Sequence, residues 1–529
     1  MQDVRYKAPN PPRLAEGWTF KRETPASRLF GANGIRTGAD GRIYVAQVSG
    51  SQVSVVDPDT GLVEAYSPKG GDIVAPDDLA FDGDGNLYAT EITEGRVSMR
   101  APDGTTKVIY GDIPCANPIE FHDGRLIAGE CRPGGRIMEL SRDGGAPRMI
   151  LEDIPLPNAM QVGPDGKLYF PVMGANEIWR VSLDGGAPEK VAGDLGVPDA
   201  VKFDAKGFIV STQVASGQVL RIDPQTGDKT VLATVAPGLD NLTFVGERLF
   251  VSSISGQINE ILSGGALRNV VPDGFNGPFA LAMGADGVLF IADGPYSYTL
   301  QPGGERQVAG MLFTPNSPGY VRGAAALAPG EFVVSTSLGM VARWRPAAQE
   351  SEFLAMGYDQ LYGVALTTDD AVVVAEKGGG RVMLIAGPEA EALATGLDAP
   401  VGVAVTADGD IYATEEGAGR VVKLSGGRAE AVLDGLVAPQ GIAAAGNVLF
   451  LVDVGAKELI SFDTVSGVRS VVAADLPVGA PPGVTPKFLG AIGEMSGPMG
   501  PFAGVTVAGD GTIYVSGDAE GSVLSFRKG

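Results

Sequence analysis

Six times in its first half the chain sets an Asn or Asp two residues ahead of the first aliphatic residue of a strand-like run: Asn33, Asp77, Asn117, Asn158, Asp199 and Asp240. The copies recur at roughly 40-residue intervals, the period of a β-propeller blade. Inner strands of a propeller begin around one mouth of its channel, so this column gathers six oxygen-bearing side chains at one opening. If turn chemistry alone called for Asn or Asp, later copies would keep it. They read Phe279, Arg322, Tyr362, Val401, Gln440 and Ala503. Three converging carboxylates repel: at ~4 Å and an effective dielectric near 20, one pair costs about 4 kcal/mol. Protonation or a bound cation relieves that. The column offers oxygen donors and no Cys or His, so Ca²⁺ is the expected ion, with Mg²⁺ and Mn²⁺ as further candidates.

Around that mouth the sequence marks other polar positions. Asp78 and Asn241 directly follow two mouth residues. A second column, at the end of each second strand, reads Gln47, Glu91, Glu130, Val172, Gln213 and Ser253, then Asp293, Thr336, Glu376, Glu415, Asp453 and Gly517. Acids persist there in both halves, so capping of a neighbouring turn is the expected role. Glu91, Glu130, Asp78 and Asn241 are nevertheless the candidates for substrate contacts. In the second half Phe279, Arg322, Tyr362 and Gln440 are expected to plug the channel; the alternative is that Arg322 and Tyr362 contact an anionic or aromatic group of a substrate. His122 is the sole histidine, which excludes any two-histidine mechanism, and its place after a first strand marks a surface turn. Cys115 and Cys131 fall on the mouth side of the third repeat. Unpaired thiols are expected, although a disulfide is geometrically open.

The elements that position these residues are short and repeated. Each copy has an inner strand, a turn that is often Asp-Gly (Asp84-Gly85, Asp165-Gly166, Asp408-Gly409), and a second strand such as KLYFP or DIYAT. Two more strands follow. Four antiparallel strands make one blade, and a lone blade cannot bury both faces. Twelve copies exceed one ring, so the expected fold is all-β, two consecutive six-bladed propellers. The expected domains are 1–264, with the metal site, and 265–529, supporting or shaping access. The last copy ends after its third strand, and residues 14–23 offer a spare one. The expected closure has this strand completing copy six, and the fourth strand of copy six completing copy twelve; the competing closure threads the N-terminus into the second ring. Two stretches break the rhythm, 295–320 and the Pro/Gly-rich 477–501.

Composition narrows the partners. The 529 residues carry 40 basic and 63 acidic side chains, a net charge of −23, and 44% are hydrophobic. That balance argues against nucleic acid and anionic membranes, which need basic surface. No apolar run nears the ~20 residues that span a bilayer, and no secretory signal is visible. A small-molecule substrate and a cytoplasmic location are expected, periplasmic or secreted if a signal has been removed.

With these residues in view, the first half resembles the SMP-30/gluconolactonase and paraoxonase-like six-bladed propellers; strictosidine synthase-like and NHL propellers are more distant relatives. The resemblance implies a divalent metal, often calcium, at Asn33, Asn117, Asn158 and Asp199. Asn33 stands where the family has Glu, one negative charge fewer unless Asp77 or Asp240 compensates. It further implies a lactonase or related ester hydrolase in which the metal polarises the carbonyl and a carboxylate, Asp199 by resemblance or else Asp77 or Asp240, activates water. The alternatives are a metal-dependent lyase or isomerase on a small natural product, and a non-catalytic binding propeller with structural calcium.

Overall fold

The computed structural model describes residues 5, 6 and 8–529. Its strands form twelve antiparallel sheets in chain order, eleven of four strands and one of five. The inner strand of the sixth sheet, Leu239–Val245, packs against that of the first, Ile35–Thr37, and Val505–Val507 packs likewise against Leu281–Met283. Each set of six therefore closes on itself, giving two six-bladed propellers. Among the described residues no helix is long and apolar enough to cross a membrane.

The blades form because alternating residues have two destinations. In the first blade Ile43, Val45 and Val56 face the sixth, joining Ile35, Phe250, Ile258 and Val271 in one buried cluster. Tyr44, Ala46, Val53 and Val55 face the second blade, packing on Leu79, Leu87 and Ala89. Both sheet faces are thus apolar, and the polar residues collect at strand ends. The Asp-Gly turns hold Gly41, Gly85, Gly166, Gly287, Gly409 and Gly511 at φ of +75 to +85°, a conformation that side chains with a Cβ adopt at a cost.

The closure differs from the expected one. Leu267–Val271 stays in the sixth sheet beside Ile258–Ile261. The N-terminal strand Trp18–Arg22 pairs with Ser522–Lys528 and completes the twelfth. Arg13–Leu14 adds a fifth strand to the eleventh, beside Arg469–Ala474. The physical reason is apolar: Trp18 and Phe20 pack onto the core cluster of Ile513, Val515, Leu524 and Phe526, with the Phe20 and Phe526 rings 5.4 Å apart. The two compact units follow suit. One holds Arg28–Gly274 with Thr485–Glu494; the other holds the described residues up to Ser27, Phe275–Val484 and Met495–Gly529. The expected boundary after residue 264 thus moves ten residues on, and two segments change sides. Much of 295–320 is also regular, Tyr296–Leu300 and Arg306–Met311 being the outer strands of the seventh blade.

Candidate functional site

A β-bulge sets each of several mouth residues. The ladder between first and second strands shifts register between Pro76 and Leu79, Ala116 and Ile119, Pro198 and Val201, and Leu239 and Leu242. The unpaired residues are therefore Asp77-Asp78, Asn117-Pro118, Asp199-Ala200 and Asp240-Asn241, and a bulge re-aims side chains in this way. Hydroxyls of the second strand tie the bulges down: Thr90 Oγ1 accepts the Asp78 N–H, Thr212 Oγ1 that of Ala200 and Ser252 Oγ that of Asn241. These hydroxyls form a Ser/Thr column one residue before the second acidic column, a signal the sequence reading passed over.

The six mouth side chains do come together. Asp77, Asn117, Asn158, Asp199 and Asp240 are buried, Asn33 partly so. Asn117 Nδ2 donates to Asn158 Oδ1 at 2.8 Å, and Asn158 Nδ2 to Asp199 Oδ2 at 3.1 Å. On the other side Asn33 Nδ2 donates to Asp240 Oδ2 at 3.1 Å. Below, Asp78 accepts from the Ile119 N–H of the third blade and from Asn241 Nδ2 of the sixth, so it spans the channel.

The charges at this mouth are poorly balanced. Burial, then Asp78, pushes the Asp77 carboxyl up to about 7, against an amide bond from Asn117. Burial, then Asp240, Asp77 and Asp78, holds Asp199 well above the carboxylate range; burial, then Asp77 and Asp78, raises Asp240 against an amide bond from Asn33. Among the described residues no ion pair joins a cation to any of the three, whereas Asp78 has positive neighbours in Arg36 and Lys202. Arg36 reaches the Leu79 and Ile119 carbonyls and Glu120, and Lys202 Nζ donates to the Met160 carbonyl. Arg36, Glu120 and Lys202 each stand three residues after a mouth residue. That column is visible in the sequence as well.

The donor set fits a hard cation. Asn117 Oδ1 is buried with no hydrogen-bond partner, and three buried carboxylates lack a counter-charge. Among the described residues no three His, Cys, Asp or Glu side chains converge closely enough to hold an ion by themselves. An ion here would draw on amide oxygens as well as carboxylates, as Ca²⁺ readily does.

Other candidates are placed elsewhere. Glu91 and Glu130 are fully buried and already engaged. Glu91 binds Arg96, Ser98 and the Val74 N–H. Glu130 binds Arg132 and Arg136. Neither has an oxygen to offer a substrate, which corrects that expectation. The column caps turns in both rings: Glu376, Glu415 and Asp453 accept the N–H groups of Asp359, Asp398 and Val437. His122 lies at the end of its strand, 3.3 Å from Asp123. Cys115 and Cys131 are both buried and free. A Cβ on Gly493 would come 3.1 Å from the Cys115 sulfur, and one on Gly490 the same from the Thr93 carbonyl. Part of the 477–501 insertion therefore lies along the rim of the first propeller at blades two and three.

The second propeller has a different hub. Its residues after the mouth column are Ala280, Gly323, Gly363, Gly402, Gly441 and Gly504. A Cβ on Gly323, Gly402, Gly441 or Gly504 would fall 2.0–2.4 Å from the carbonyl oxygen of the next inner strand. The strands close in until a cavity of about 30 Å³ is left. Arg322 and Tyr362 lie above it under the segment 500–502, with Arg322 Nη2 bonded to the Gly500 carbonyl and Phe502 5.8 Å from Tyr362. Residues 500–502 thus cover the mouth at Arg322 and Tyr362.

Fold and mouth together define an all-β protein whose first propeller carries a polar, acidic hub. Residues 120–255, blades three to six, are similar to the SMP-30/Gluconolactonase/LRE-like region. No curated protein matches the chain. Among solved structures, a streptogramin B lyase aligns at 17% identity and a TM-score of 0.39, over 53% of this chain and 96% of its own. A virginiamycin B lyase of Staphylococcus aureus aligns at 18% and 0.38, over 52% and 96%. A gluconolactonase of Xanthomonas campestris aligns at 16% and 0.38, over 46% and 92%.

Proposed function

We propose that the first propeller is a metal-dependent hydrolase of a lactone or related ester. One observation carries the reading: Asp77, Asp199 and Asp240 are buried at a single mouth with amides and one another for company, and no cation. The family match over blades three to six supports it. Asn33, Asn117, Asn158 and Asp199 are the residues that would hold Ca²⁺, with Asp77 or Asp240 making up the charge of the Glu absent at residue 33. Bound there, a divalent ion supplies a Lewis acid for the ester carbonyl and its developing oxyanion. The chain does the rest. Asp77 or Asp240 takes a proton from the attacking water, whose oxygen bonds to the carbonyl carbon. The ring C–O bond then breaks, and the same carboxyl returns the proton to the leaving alkoxide. Asn158 and Asn33 hold Asp199 and Asp240 in place through their amide N–H groups, and the bulged strand starts keep the constellation rigid.

Proton release on a panel of aliphatic and aromatic lactones tests this. Turnover is expected to stop with EDTA, return with Ca²⁺, and be lost in Asp199→Asn by a factor of about 10² or more while the far-UV spectrum is unchanged. Calcium bound without turnover of any lactone or ester would leave a binding propeller instead.

A further inference from the structure

The second mouth holds an imbalance of its own. Arg322 is 1% exposed. Its guanidinium lies between two rings, 4.6 Å from the centroid of Phe279 and 4.5 Å from that of Tyr362. Nη2 donates to the Gly500 carbonyl, and Nη1, also buried, has no acceptor. Among the described residues no carboxylate pairs with it. The acid at this mouth, Glu416, is taken by Lys377 at 2.6 Å and by Gln440 Nε2 at 2.8 Å. By contrast the buried Arg36 of the first propeller has Glu120 and two carbonyls. A desolvated charge lacking an opposite charge is strongly destabilising, so the residue's surroundings look built around an anion that the chain does not supply.

The plug shows the shape of that anion. Gly500 presents an sp² oxygen to Arg322, and two residues on Phe502 presents a ring to Tyr362, at 5.8 Å and 58°. Besides the Arg322 bond, the segment is held by Gly497 N–H to Ser337 Oγ at 3.1 Å, Ala503 N–H to Gln440 Oε1 at 2.8 Å and Gly441 N–H to the Ala503 carbonyl at 3.1 Å. Beneath it the glycine-lined hub leaves about 30 Å³, too little for an organic ring. An organic ligand therefore enters only in the place of the plug.

We propose that the mouth of the second propeller is a binding site for a small cyclic monocarboxylate, whose carboxylate and ring take the positions of the Gly500 carbonyl and the Phe502 ring. The carboxylate bonds in bidentate fashion to Arg322 and satisfies Nη1; the ring packs on Tyr362 and Phe279. This site is independent of the hydrolase reading.

Benzoate is the probe, with benzyl alcohol as the control lacking the charge. Gly500→Ala is the opening variant, because a Cβ at residue 500 would come 2.5 Å from the Tyr362 hydroxyl and drive the segment off. Titration calorimetry is expected to show benzoate binding to the wild type and at least tenfold tighter binding to Gly500→Ala, with no heat from benzyl alcohol. Arg322→Met is expected to abolish binding and to melt no lower than wild type, since it removes an unbalanced charge while filling the same slot. Three results would each overturn the proposal: no benzoate binding to Gly500→Ala up to about 10 mM, the range of the weakest specific affinities; equal binding of benzyl alcohol; or a melting temperature of Arg322→Met below that of wild type, which would make the guanidinium a structural anchor.

Discussion

Lys202 shows most clearly what the polar hub costs the fold. Its ammonium is buried in the first channel with one carbonyl acceptor. Burial, then the nearby Arg36, brings its pKa from 10.5 down to about 8, Glu120 and Asp78 opposing. A base whose folded pKa lies below its unfolded one destabilises the fold when charged. The penalty is complete below about pH 8 and fades as pH rises towards 10.5. The shift corresponds to about 3 kcal/mol, less about 1 kcal/mol for the hydrogen bond that Lys202 makes. Lys202→Met is therefore expected to stabilise the first propeller by about 2 kcal/mol at pH 7 and by much less at pH 10. Urea denaturation at the two pH values measures this; equal gains at both would mean that burial of the charge is not the cause. That a natural sequence keeps such a residue fits a function at the hub, because Lys202 and Arg36 balance Asp78 from below and leave the three mouth acids free to act on a ligand.

At the scale of elements, what the sequence made legible was whatever repeats. Twelve blades, the Asp-Gly turns and the mouth column could be read because each recurs in register, and the bulges that aim Asp77, Asn117, Asp199 and Asp240 sit where the column placed them. Closure was not legible. It depends on one pairing made once, Trp18–Arg22 with Ser522–Lys528, and one spare strand could be placed in either ring. The apolar faces of Trp18 and Phe20 decide between them, since Ile513 and Phe526 are otherwise left uncovered. The roles of Glu91 and Glu130 were half legible: acids in both halves pointed to capping, but only the arginines Arg96, Arg132 and Arg136 show that no oxygen is spare. Closure by a strand some 500 residues away makes a sharp prediction. Deleting the residues before Glu23 removes the fourth strand of the twelfth blade, exposes the Phe526 edge, and should abolish the second unfolding transition in calorimetry. The first propeller, closed within Arg28–Gly274, should keep its own. Loss of both transitions together would show that the first ring also needs the N-terminal strand.

At the scale of the whole molecule, two rings of one architecture have taken opposite solutions at the hub. The second fills its centre with backbone, glycine against carbonyl, and is covered by residues 500–502. The first keeps side chains there, and its carboxyls are raised: Asp77 to about 7, and Asp199 and Asp240 well above the ordinary 3.8. An acid raised in the folded state stabilises the fold most when protonated. That contribution is full below about pH 4 and is lost as pH rises through 7, so without a cation the first propeller should weaken across this window while the second does not. A divalent ion competes with those protons. Millimolar Ca²⁺ is therefore expected to raise one of the two calorimetric transitions by several degrees at pH 8 and by little at pH 5, and Asp240→Asn to shrink the shift at pH 8. Zinc should substitute poorly, because the six residues of the mouth column include neither imidazole nor thiol to offer it. A calcium shift of equal size at both pH values, or one shared by both transitions, would place the ion away from these carboxylates and remove the electrostatic reason for chemistry at this hub.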